Sequence, residues 1–176
     1  VAEPGADAPR VSLPVVLIGP MGAGKTRIGS RLAREVGAPF VDTDQRIVER
    51  YGPIEEIFAR EGEPYFRVIE REVVAEALRE EAVVALGGGA VLDPDTQDDL
   101  ATLPVVLLRV DEAAVAPRLA GGTRPLIADG GLDRWRGILA ERLPIYEALA
   151  DIDLDTSRRP VARIVAEITG RLGALA

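Results

Sequence analysis

The chain has no cysteine and no histidine among its 176 residues. The first absence excludes disulfides, thiolate metal sites and cysteine nucleophiles. The second removes the commonest general base and metal ligand, so any catalysis must run on carboxylates, hydroxyls, Arg, Lys or backbone amides. Asparagine is also absent, and the single lysine, Lys25, stands against 20 arginines. No apolar run approaches the roughly 20 residues that span a bilayer; "LPVVLIG" and "LPVVLLRV" are among the longest. A net charge of −8 opposes non-specific nucleic-acid binding. It still permits a small anionic ligand where cations converge in a cleft. The opening "VAEPGADAPR" carries no secretory signal and reads as a disordered tail over residues 1–12, leaving one domain over 13–176. A cytoplasmic monomer is expected, with neither a membrane nor a nucleic-acid partner.

What is present is an alternation. Five short runs read as strands: 13–19, 39–42, 82–86, 104–110 and 151–155. Most are continuously apolar, as in strands covered on both faces. Between them lie helical patterns over 26–36, closed by Gly37, and over 64–81, 95–103, 111–119, 132–149 with a kink at Pro144, and 160–172. The fold expected is α/β, three-layered, with a five-stranded parallel sheet, helices on both faces and ligands at the carboxyl ends of the strands.

After the first run comes "GPMGAGKT", which satisfies G-x-x-x-x-G-K-[ST] through Gly19, Gly24, Lys25 and Thr26. It stands between a strand and a helix, where such a loop wraps phosphates with backbone N–H groups. Chance would produce the pattern in a chain this long on the order of one time in a hundred. The lone lysine adds weight, since a compact ammonium fits between phosphates where a guanidinium fork is too wide. Lys25 reaches the outer phosphates and Thr26 suits Mg²⁺. Without Asn the guanine-reading N-K-x-D element is impossible, and without His the H-R-D motif of protein kinases is too. A kinase for a small molecule or nucleotide remains.

The acceptor side should follow the next strands. "FVDTD" supplies Asp42 and Asp44, one suited to a magnesium water shell and the other to accepting a hydroxyl proton; the bland alternative makes Asp44 a helix cap. "GGG", Gly87–Gly89, permits close approach of backbone amides to a ligand. Arg67 and Glu70 are one helical turn apart, which alone suggests an exposed ion pair. Arg142 lies beside the apolar side of its helix, where it either snorkels or binds an anion. Asp111 reads as a cap. Arg124, within the Gly-rich stretch 121–131, suits a mobile lid over about 118–131 that brings a cation onto a transferring phosphoryl group.

Taken together, "GPMGAGKT", "DTD", "FRVIE", "GGG", "RPLI", "ERLPIY" and "DTSRRP", in this order from about Leu13 to Leu172, resemble the shikimate kinases. The resemblance implies ATP-dependent phosphorylation of the shikimate 3-hydroxyl, with ATP as co-substrate and Mg²⁺ as cofactor. It implies that Gly22, Ala23, Gly24, Lys25, Thr26 and Arg27 line the ATP phosphates and that Thr26, with Asp42 through water, serves the metal. Asp44 would be the base, while Arg67, Arg142, Glu70, Gly88 and Gly89 would hold shikimate. Arg124 would join Lys25 in catalysis, and Arg118 and Arg159 would flank adenine. Arg27 departs from the family, which commonly has a hydroxyl residue there. The alternatives are another small-molecule kinase of this fold, such as a gluconate kinase, or a nucleotide-binding regulatory domain without turnover.

Overall fold

A computed structural model describes residues 11–120 and 130–175. Strand β1 (Val15–Ile18) is central in a parallel sheet of order β2-β3-β1-β4-β5, with β2 Phe40–Asp42, β3 Val83–Ala85, β4 Val105–Arg109 and β5 Ile152–Asp155. Val16 pairs with Val84 on one side and with Val105 on the other. The chain therefore leaves β1 for β2 on one side of the sheet and later crosses to β4 on the other. That reversal opens a crevice at the carboxyl end of β1, where the phosphate-loop motif begins.

The apolar strands alternate between two cores. Val15 and Leu17 face a cluster with Ile28, Leu32, Ile164 and Ile168, whereas Val16 and Ile18 face one with Val74, Ala77, Leu100 and Leu107. Burial on both faces is why these strands show no polar alternation. The exception is the edge strand β5, whose Asp153 and Asp155 are exposed. Helices α1 (Lys25–Val36) and α8 (Val161–Leu175) cover the first core; α4 (Glu63–Ala77) and α5 (Pro94–Leu100) cover the second.

Helix α3 (Ile54–Glu61) was not expected, and α2 (Thr43–Tyr51) only as the helix that Asp44 would cap in its bland alternative. They form a small satellite with α4, built on Ile47, Ile57, Phe66, Ile69 and Val73. Their charged, one-sided sequences bury few residues each, so the apolar period is weak over so short a length. Helix α6 is Glu112–Ala120, so residues 118–120, expected in the lid, complete a helix instead. Val11, which falls within the expected 1–12 tail, packs against the first core. Residues 1–10 of that tail, and Arg124 with the lid residues 121–129, lie outside the described residues.

Helix α7 (Gly131–Leu149) runs unbroken through Pro144. Its Trp135 and Leu139 belong to the first core and its Tyr146 and Leu149 to the second, so one helix serves both faces of the sheet. No helix among the described residues is long and apolar enough to cross a membrane.

Candidate active site

The loop from Gly19 to Gly24 turns through glycines at φ 139°, 83° and 89° for Gly19, Gly22 and Gly24, a region L side chains rarely enter. A β-carbon on Gly19 would also lie 2.2 Å from the Leu108 carbonyl oxygen. The loop's carbonyls are held from several directions. Lys25 Nζ donates to Gly19 at 2.7 Å and to Pro20 at 3.1 Å. The indole of Trp135 donates to Met21 at 3.0 Å, Arg118 Nη1 to Gly22 at 2.7 Å, and Thr156 Oγ1 to Ala23 at 2.8 Å. In a trans peptide the N–H opposes the C=O, so carbonyls tied to the body leave amides facing the other way, although the Ala23 N–H turns back to the Pro20 carbonyl at 3.3 Å. The glycine cap of α1 at Gly24 adds the positive end of the helix dipole. Such a loop suits an anion.

Thr26 Oγ1 donates to Asp42 Oδ2 at 2.6 Å, bringing together two hard oxygen groups from α1 and the end of β2. Asp42 is also the N-cap of α2, accepting from the Gln45 N–H at 3.1 Å. This corrects the cap alternative for Asp44: the capping carboxylate is Asp42, and Asp44 lies in the first turn with its side chain at the glycine run. Asp111 does cap α6, accepting from Ala114 N–H at 2.7 Å.

Two of the three glycines after β3 make room for a partner: a β-carbon would stand 2.4 Å from Asp44 Oδ1 at Gly87 and 2.5 Å from Arg67 Nη1 at Gly89, whereas at Gly88 it would meet Tyr146 Oη at 3.5 Å and Arg142 Nη1 at 3.6 Å in ordinary contact. The Gly88 position is also 3.6 Å from the Gly19 carbonyl, so acceptor site and phosphate loop adjoin.

Arg67 Nη1 donates to Glu70 Oε2 at 2.6 Å, and its Nη2 to Glu63 at 3.0 Å. The expected exposed pair is wrong for Glu70, whose side chain is 5% exposed. Burial pushes the Glu70 carboxyl up to about 6, against the opposing pull of Arg67. The pair is consequently a positioned cation with a partly neutralising partner. Arg142 Nε is buried with no hydrogen-bond partner, and no other side-chain nitrogen or oxygen of the described residues is so placed. An orphan buried guanidinium donor beside the glycine run suits an anionic ligand.

The sequence reading missed four residues. Thr43, fully buried, accepts from Gly87 N–H at 3.1 Å and donates to the Ala85 carbonyl at 3.3 Å, stitching "DTD" to "GGG". Tyr146 donates to the Gly88 carbonyl at 2.5 Å, and burial pushes its hydroxyl up to about 12. Its i+4 spacing from Arg142 was the available signal. Thr156 stands within the quoted "DTSRRP", but nothing in the sequence points Trp135 at the phosphate loop. Of the expected adenine residues, Arg118 bridges the Gly22 and Ser157 carbonyls, whereas exposed Arg159 is paired with Glu167. Arg27 is exposed on α1.

The glycine loop, paired Thr26 and Asp42, and an adjoining cluster of Asp44, Arg67 with Glu70, and Arg142 fit a P-loop phosphotransferase for a small anionic alcohol. The family model for shikimate kinase matches residues 21–173. A shikimate kinase of Mycobacterium avium is 48% identical over 165 residues, 90% of this chain and 93% of that one. The structure of the Acinetobacter baumannii shikimate kinase in complex with shikimate superposes with a TM-score of 0.87 at 32% identity, covering 91% and 92% of the two chains. A gluconokinase from Sinorhizobium meliloti is more distant, with TM-score 0.59 at 25% identity over 92% of each chain. The chain belongs to the shikimate kinase family.

Proposed function

We propose that this chain transfers the γ-phosphoryl group of ATP to the 3-hydroxyl of shikimate, giving ADP and shikimate 3-phosphate. The observation that carries the reading is the convergence at Gly87–Gly89 of Asp44, Arg67 with Glu70, and Arg142, directly beside the phosphate loop. The Arg142 orphan donor and the Arg67 cation suit the shikimate carboxylate. Asp44 then faces the hydroxyls.

The attacking oxygen forms a bond to the γ-phosphorus while the bond from that phosphorus to the β,γ-bridging oxygen breaks. The hydroxyl proton passes to Asp44, and ADP departs with the bridging oxygen. Lys25 and the loop amides, Gly22 to Thr26, hold the phosphates, with Arg27 at the edge of that group. Arg118, already at the loop, lies toward adenine; Arg159 joins it by exchanging its Glu167 partner. Arg124 is assigned to the transferring phosphoryl group on sequence alone.

Thr26 and Asp42 fit Mg²⁺, since both offer hard oxygen and stand 2.6 Å apart at the loop's end. When bound there the ion would neutralise phosphate charge. Positioning and charge stabilisation by the chain do the remaining work.

The test is ADP release measured with shikimate, gluconate and nucleoside monophosphates in parallel. Stimulation by shikimate is expected. Stimulation by gluconate instead would assign a different acceptor, and none by any acceptor would indicate a nucleotide-binding domain without turnover.

A further inference from the structure

Three consecutive carbonyls of the phosphate loop are held by three different elements: Met21 by Trp135 of α7, Gly22 by Arg118 of α6, and Ala23 by Thr156 after β5. The first of these is informative because of what else α7 carries. Seven residues beyond Trp135, roughly 10 Å along the helix, Arg142 reaches the glycine run, and Tyr146 donates to the Gly88 carbonyl one turn further. One helix therefore touches the phosphate loop near one end and the acceptor loop near the other.

We propose that Trp135 is a positioning residue for the nucleotide: its indole N–H holds the Met21 carbonyl toward α7 and so turns the Gly22 N–H into the phosphate cradle. The Met21–Gly22 peptide is trans, so its carbonyl and amide point in opposite directions. Gly22, at φ 83°, gives this peptide unusual rotational freedom, and an untethered carbonyl would let the amide swing out of the cradle. Gly22 cannot brace itself with a side chain, since a β-carbon there would lie 2.4 Å from Val115 Cγ2. Trp135 is the sole tryptophan and is only 4% exposed, so its ring is fixed by the first core while its N–H is spent on the loop. A phenylalanine would fill much of the same space without the donor.

The proposal rests on the reading that the loop binds ATP. Its test is calorimetric ADP affinity, together with steady-state kinetics, for wild type, Trp135→Phe, and a chain with 3-benzothienylalanine at 135. The last replaces the indole N–H by sulfur at nearly constant ring volume, so it stays decisive where the phenylalanine variant folds poorly. Loss of one such hydrogen bond is expected to weaken ADP binding and raise KM for ATP by about three- to tenfold. KM for shikimate and kcat should stay within about twofold. A merely structural role would loosen α7 as a whole and move the shikimate KM through Arg142 as well, so equal shifts in both KM values overturn the proposal. Unchanged ADP affinity in the benzothienyl chain also overturns it. Wild type that binds no ADP removes the nucleotide reading itself, an outcome distinct from either.

Discussion

The guanidinium of Arg67 occupies the space that a β-carbon on Gly89 would fill, with Nη1 2.5 Å and Nη2 2.8 Å from that position. Gly89 itself has φ −95° and ψ −7°, which alanine adopts without strain. Gly89→Ala is thus a steric probe of the arginine and of nothing in the backbone. It should displace Arg67 and raise KM for shikimate by about tenfold or more, with KM for ATP unchanged. Steady-state kinetics with each substrate varied would show it; an unchanged shikimate KM would place Arg67 outside the site.

Asp44→Asn keeps the shape of the side chain and removes the proton acceptor. Turnover should fall by about 10²- to 10⁴-fold, and calorimetric ADP affinity should survive. A fully active variant would reduce Asp44 to a residue of the first turn of α2.

Arg142 is the cation whose buried Nε has no hydrogen-bond partner among the described residues. Arg142→Ala should abolish measurable shikimate binding by calorimetry and leave ADP binding intact. Because the wild-type donor is already unsatisfied, the variant should not lose stability in proportion, and urea unfolding would check this.

Glu70 is expected to make stability fall with pH. Its carboxyl is held at about 6 in the folded chain, above its ordinary value of 4.5, chiefly by burial. Between those values the folded state binds more protons than the unfolded one, so stability declines as pH rises from about 4.5 to 6 and levels off above. The whole effect is about 2 kcal/mol. Glu70→Gln should lack this decline, so its urea midpoint should gain on wild type across that window and stay ahead at pH 7 to 8. Its shikimate KM should rise nonetheless, because Arg67 loses the carboxylate that orients it at 2.6 Å.

Thr43→Val removes the hydroxyl between Gly87 N–H and the Ala85 carbonyl, leaving both backbone groups buried without it. A loss of about 1–3 kcal/mol is expected in denaturant unfolding, along with a higher KM for shikimate. Thr43→Ser, which keeps the hydroxyl, should recover most of the KM.

The phosphate loop, Asp42, Asp44 and the glycine run were legible because they are contiguous and their chemistry depends on local spacing. The inner strands were legible for a similar reason: burial on both faces writes an unbroken apolar run, whereas edge strand β5 alternates. Helices α2 and α3 were less so, since each buries few residues and much of their support comes from α4.

The sequence by itself determined the donor side, because backbone N–H groups, one ammonium and a helix end cooperate within eight residues. Only the tertiary structure decided how Glu70 behaves, which carbonyls Trp135, Arg118 and Thr156 secure, and that Arg142 is left with an unanswered donor. Burial and pairing are set by groups distant along the chain. Thr43 meets Gly87 across 44 residues and Trp135 meets Met21 across 114, distances over which no local pattern in the chain carries information.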